Sequence, residues 1–144
     1  MKAVAFLLLV ATISTNAVSD VPESVWTSEM ASDSIKASII YLTTHNHADD
    51  VSGLLIALGE LKTQRADQAL VDLSDYAFDG AVGEDSNSVI THRGKKLLPL
   101  LRAKLGKTPL CDPLARCLTI EQRNDRLRGW IKSIEKGEVI AFNQ

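Results

Sequence analysis

The sequence predicts an all-α protein, a stack of antiparallel helical hairpins behind a cleaved leader. Two observations carry that expectation. Apolar residues recur at helical spacing in segments separated by short polar connections, as in A-D-D-V-S-G-L-L-I-A-L-G-E-L followed by Q-R-A-D-Q-A-L-V-D-L-S-D-Y-A. Aromatic residues make up only 5% of the 144, while Leu, Ala and Ile are plentiful, a composition that suits helix-on-helix packing better than a β-sandwich.

The leader comes first. Met1-Lys2 supplies a positive charge, Ala3 to Ile13 is almost uninterruptedly apolar, and small residues precede Asp20. This is the layout of a secretory signal. Cleavage is expected after Ser19, with Ala17 as second choice, giving a leader over 1–19 and one helical domain over 20–144. The apolar run is too short to cross about 30 Å of hydrocarbon as a helix. The mature chain is therefore expected to be exported and not to span a membrane: periplasmic if the source is bacterial, otherwise secreted. Loss of Lys2, the leader's only charge, takes the formal charge from −2 to −3. A mildly acidic chain with interspersed charges lacks the clustered basic footprint of a nucleic-acid binder.

From Asp20 to Ala31 the mixed polar sequence predicts a loose or short helical lead-in, with Pro22 in a first turn and Trp26 as an anchor. Ser32 or Asp33 would cap the next helix, which turns Ile35, Ile39, Ile40 and Leu42 to one side and ends near Thr43. The β-branched S-I-I-Y-L-T-T also fits a strand, but a lone strand among helices has no partner. His45-Asn46-His47-Ala48-Asp49-Asp50 has two readings. His45, His47 and Asp49 are a weak candidate set of nitrogen and oxygen ligands for a transition metal. The favoured reading is a polar connection in which Asp49 or Asp50 caps the helix that follows, with no cofactor bound.

Val51, Leu54, Leu55, Leu58 and Leu61 stripe that helix, and Gly53 and Gly59 within it suggest close approach of a neighbouring backbone. Thr63 caps a further helix carrying Ala66, Ala69, Leu70, Leu73, Ala77 and Tyr76 inward. Over this stretch, L-G-E-L-K-T-Q-R-A-D-Q-A-L-V-D-L resembles HEAT-like repeats: a helix ending in L-G-x-L, a tight polar turn, then A-x-x-A-L-x-x-L. The resemblance implies a short HEAT-like array of helical hairpins and says almost nothing about chemistry.

Phe78 to Gly83 breaks the pattern, and Glu84 to His92 reads as a short helix with Val89 and Ile90 buried, closed or kinked at Gly94. His92-Arg93-Gly94-Lys95-Lys96 is the most basic spot, read as a solvated turn in preference to a small-anion site. A helix over Lys95 to Leu105 accommodates Pro99 in its first turn, and Gly106 ends it. Cys111 and Cys117 form an even pair in an exported chain, bracketing the bend at Pro113. A structural disulfide is the expectation. The spacing fits neither a C-x-x-C redox pair nor a zinc site. Thr119 and Gln122 form a capping box for a last helix through Glu135. Its apolar face is Leu127, Trp130, Ile131 and Ile134; its charged face includes Arg123, Arg126, Arg128 and Lys132. Gly137 suits the position just past that helix, and Val139 to Phe142 would fold back over it.

Catalytic chemistry is not evident. The chain has no G-x-S-x-G, H-E-x-x-H or phosphate loop, and no cysteine left over as a nucleophile, so no catalytic residue is assigned and no enzyme is expected. A non-enzymatic protein-binding module is the leading class, its partner a protein and its contact residues unassigned. In size, leader, helical content and single disulfide the chain resembles periplasmic immunity proteins of contact-dependent secretion systems. That resemblance implies occlusion of a toxin or envelope hydrolase. A scaffolding protein of the cell envelope and a metal-binding protein using His45 and His47 are the alternatives.

Overall fold

In the computed structural model, residues 23–142 are described; the expected leader, its expected cleavage site and the side chain of Trp26 lie outside the described residues and side chains. The α-helices are α1 (Glu23–Thr44), α2 (Val51–Glu60), α3 (Gln64–Asp72), α4 (Gly80–Arg93), α5 (Leu98–Lys104) and α6 (Ile120–Glu135). Short 3-10 turns precede α2, follow α3 and lead into α5. The chain is all-α, and among the described residues the only β-type contact is an isolated bridge between Tyr76 and Cys117.

α1 is longer at its start than expected. Instead of a lead-in and a new cap, one helix runs through Ser32. Its hydroxyl does not cap: it donates back to the Ser28 carbonyl at 2.9 Å and meets the Thr63 hydroxyl at 3.5 Å. A serine that satisfies itself this way can sit inside a helix, so it marked no boundary. The helix stops at Asn46, which takes φ 61°, while His47 N–H donates to the Leu42 carbonyl at 2.9 Å. This is a Schellman stop with asparagine in the left-handed position.

α2 lies at the centre, packed against α1, α3 and α4. Its helical stripe buries Val51, Leu55 and Leu58. The expected aspartate cap is absent: Asp50 makes no side-chain cap bond, because the 3-10 turn Ala48–Asp50 already winds into the helix. Thr63 does cap α3, accepting from Ala66 N–H at 3.1 Å. Of the two α2 glycines, only Gly59 meets a neighbour; a Cβ there would lie 2.7 Å from Val89 Cγ1 of α4, whereas one on Gly53 would meet nothing within 4 Å. That neighbour is a side chain, not the backbone expected.

α4 begins at Gly80, earlier than the sequence suggested, and absorbs Gly83. A Cβ at Gly83 would sit 2.7 Å from the Phe78 carbonyl oxygen, so only glycine lets the chain turn in so tightly. α4 buries unusually polar residues, among them Ser88 and Thr91. The C-terminal segment accounts for both. Ser88 donates to the Ala141 carbonyl at 2.9 Å, Thr91 accepts from Ile140 N–H at 2.9 Å, and Phe142 stacks on His92 at 4.9 Å. The tail thus folds back, but onto α4 rather than over the last helix as the sequence suggested.

α5 carries Pro99 in its first turn, where no N–H is missed. The Thr119–Gln122 capping box of α6 is present in both directions, and Gly137 (φ 73°) ends that helix. α6 packs on α4 and α5. Trp130 is buried, its indole N–H donating to Asn87 at 2.7 Å. One continuous apolar cluster, from Ile39 through Leu58, Leu70 and Ile90 to Leu127 and Ile134, joins all the helices.

Candidate functional site

Two arginines that look like surface charges in the sequence are buried, and both organise irregular backbone. Arg93 donates through Nε to Asp67 at 2.8 Å and through Nη1 to the Leu61 carbonyl at 2.7 Å. It thereby locks the turn between α2 and α3. The basic run His92–Lys96 is therefore not one patch: its arginine is fully committed inside, and only its flanking side chains reach solvent.

Arg123, wholly buried, lies on the face of α6 that the sequence assigned to solvent. Its Nη1 donates to Asp75 Oδ1 at 2.7 Å and its Nη2 to the Lys107 carbonyl. Asp75 is the centre of this arrangement. Its carboxylate also pairs with Lys104 Nζ at 2.8 Å and accepts Leu110 N–H at 3.1 Å, while its carbonyl accepts Leu118 N–H at 2.9 Å. One aspartate thus holds both ends of the loop that joins α5 to α6. A buried carboxylate with this many donors is compensated in charge and in hydrogen bonds.

The loop is fixed along its length. Cys111 and Cys117 are joined, with Cα atoms 6.0 Å apart. Asp112 N–H donates to the Tyr76 hydroxyl at 3.1 Å and Ala77 N–H to the Arg116 carbonyl at 2.8 Å. At the tip, Asp112 folds the chain on itself, accepting Leu114 N–H on its side chain and Ala115 N–H on its carbonyl, both at 2.9 Å. Arg126 braces the base by donating to the Tyr76 carbonyl at 2.7 Å, with its guanidinium 5.7 Å over the Trp130 ring. Burial lowers the pKa of Arg126, partly opposed by Asp79.

This bracing presents two leucines to solvent. Leu110 is 84% exposed and Leu114 81%. A lone exposed leucine is ordinary on a protein surface. Two on a loop tied by a disulfide and at least six hydrogen bonds are held in place, with little ordering left to be done on contact.

Beside the loop a groove runs between α1, α3 and α5. Its deeper end, about 410 Å³, is lined by Ile40, Val71, Tyr76, Leu100 and Leu110 together with lysines. It continues, through Lys36, Gln68, Asp72 and Leu100, into a wider part of about 940 Å³ toward Glu29 and Lys96.

The His45, His47 and Asp49 set is placed at the stop of α1. His45 stacks on Tyr41 at 4.1 Å, its Nδ1 lies 2.7 Å from the Tyr41 carbonyl, and all three side chains are exposed. Among the described residues, no group of three or more His, Cys, Asp or Glu comes together in a way that could hold a metal. Among the same residues, no helix is long and apolar enough to cross a membrane. Comparison with protein-family models, with curated proteins and with solved structures finds no match to the chain.

Proposed function

We propose that this chain is an exported, non-catalytic protein-binding module that inhibits a toxin or envelope hydrolase by occlusion, in the manner of an immunity protein. The pre-organised loop supports this reading most directly: Leu110 and Leu114 stand exposed on a segment whose backbone is already fixed by Asp75, Tyr76 and the Cys111–Cys117 bond. Loops on a rigid helical frame are the usual carriers of recognition. An apolar tip whose backbone is already ordered converts more of its burial into affinity than a mobile one does. Burying one leucine contributes about 1.5–3 kcal/mol, a factor of roughly ten to a hundred in affinity. In this proposal the helical hairpins are HEAT-like, and their role is to hold the loop still.

The test is capture from an envelope extract of the source organism with immobilised residues 20–144, run in parallel with the Leu110→Asp/Leu114→Asp variant. A single stoichiometric hydrolase or toxin that is inhibited by the native chain, and lost with the variant, is the expected result. Equal capture by both proteins would remove the loop from the account. No specific partner at all would remove the inhibitor reading.

A further inference from the structure

We propose that the groove between α1, α3 and α5 docks an extended acidic segment of the partner, about five residues long, with a large apolar side chain at the end nearest Leu110. This rests on the protein-binding reading and specifies the partner's chemistry. The first observation is the distribution of unpaired charge. Every aspartate along the groove is already engaged within the chain: Asp33 by Arg65, Asp67 by Arg93, Asp72 by Lys36, and Asp75 by Arg123 and Lys104. Glu29 lies 3.9 Å from Arg65. Lys62, Lys96 and Lys107 are exposed and line the same groove, and no hydrogen bond or ion pair engages their side chains among the described residues. Among the described residues the groove therefore offers free cations and no free carboxylate, on a chain whose formal net charge is −2. Such a surface attracts an acidic segment and repels a basic one.

Shape and polarity supply the rest. The α1 wall runs from Glu29 to Ile40, about 17 Å at the helical rise, which an extended chain covers in about five residues. The polarity is graded along that length. Lys62, Lys96 and Arg65 lie toward the Glu29 end, and Ile40, Tyr76 and Leu110 toward the other, where Lys107 is the one free cation among the described residues. Leu110 belongs both to the groove and to the exposed loop, so a segment seated here would continue the contact made by Leu114.

The experiment is fluorescence anisotropy of a labelled five-residue peptide, one leucine followed by four acidic residues, titrated with the purified chain. A peptide with lysines replacing the acids is the control. The acidic peptide should bind and the basic one should not, with affinity falling as salt rises. The Lys62→Glu/Lys96→Glu/Lys107→Glu variant should lower it about tenfold or more, since three attractive charges become repulsive. Those lysines are exposed and unpaired, so its thermal midpoint should match the native protein's. No saturable binding at millimolar chain, equal binding of the basic peptide, or undiminished binding by the triple variant would overturn the proposal. So would recruitment to phosphatidylglycerol vesicles in place of the peptide, which would make the free lysines a membrane contact. Partner capture that survives any of these failures would leave the loop reading standing.

Discussion

Replacing Asp75 by alanine should be among the most damaging single changes in this protein. The residue is 1% exposed and compensates Arg123, itself fully buried. Asp75→Ala removes the Arg123 and Lys104 ion pairs and the acceptor for Leu110 N–H, while Arg123 keeps its bond to the Lys107 carbonyl. Breaking a buried pair and stranding one charge costs about 3–5 kcal/mol. At about 2.1 cal/mol/K per residue, the 120 residues from 23 to 142 give a melting entropy near 0.25 kcal/mol/K, so the midpoint should drop by about 12–20 °C. Urea unfolding followed by circular dichroism measures the loss, and a double-mutant cycle with Arg123→Met isolates the pair. Because the second change removes the stranded charge, the double variant should recover about 1–3 kcal/mol relative to the sum of the two single losses. A loss below about 1 kcal/mol for Asp75→Ala, or strict additivity, would refute the claim that this pair anchors the loop.

Other perturbations test the packing. Trp130→Ala should destabilise by about 3–5 kcal/mol, since the side chain is 4% exposed and leaves Asn87 without its donor. Calorimetry showing a shift of only a degree or two would place that ring at the surface. The two α2 glycines should respond oppositely to alanine. Gly53→Ala has open space and should stabilise by about 0.5–1 kcal/mol, whereas Gly59→Ala drives a methyl into the stiff side chain of Val89 and should cost about 1–2 kcal/mol. Equal melting temperatures for the two variants would contradict the α2–α4 contact. Reducing the Cys111–Cys117 bond should cost about 2 kcal/mol, as expected for so short a loop, and Cys111→Ser/Cys117→Ser should reproduce the loss. An unfolding midpoint insensitive to reductant would remove the staple from the account.

Features set by neighbouring residues were legible in the sequence. The Thr63 cap, the Thr119–Gln122 box and the Gly137 stop each depend on contacts within one turn, and each forms. The apolar stripes placed Val51, Leu55, Leu58, Leu70, Leu127 and Ile134 in the core, where they are. What failed were features whose partner lies far along the chain. Arg123 reaches Asp75 across a separation of 48 residues and Arg93 reaches Asp67 across 26, and nothing local distinguishes such arginines from solvated ones. α3 gives way to a 3-10 turn at Leu73 even though the helical stripe continues to Ala77, because Asp75 must face Arg123 and Tyr76 must meet Cys117. Ser32 and Asp50 are good cap residues by type, yet a local back-bond and a preceding 3-10 turn supersede them. The cysteine loop reads from the sequence alone as a staple. Its exposed leucines became visible only once its anchors on residues 75–77 were known.

The most direct test of the account is amide hydrogen exchange on the chain, free and bound to its captured partner. In the free protein the amides of Leu110, Asp112 and Leu118 should already exchange slowly, as hydrogen-bonded members of a fixed loop. On binding, new protection should appear along residues 109–118 and on the α1 and α3 walls of the groove. Fast exchange of those amides in the free chain, or protection confined to α4 and the C-terminal segment, would show that recognition lies elsewhere.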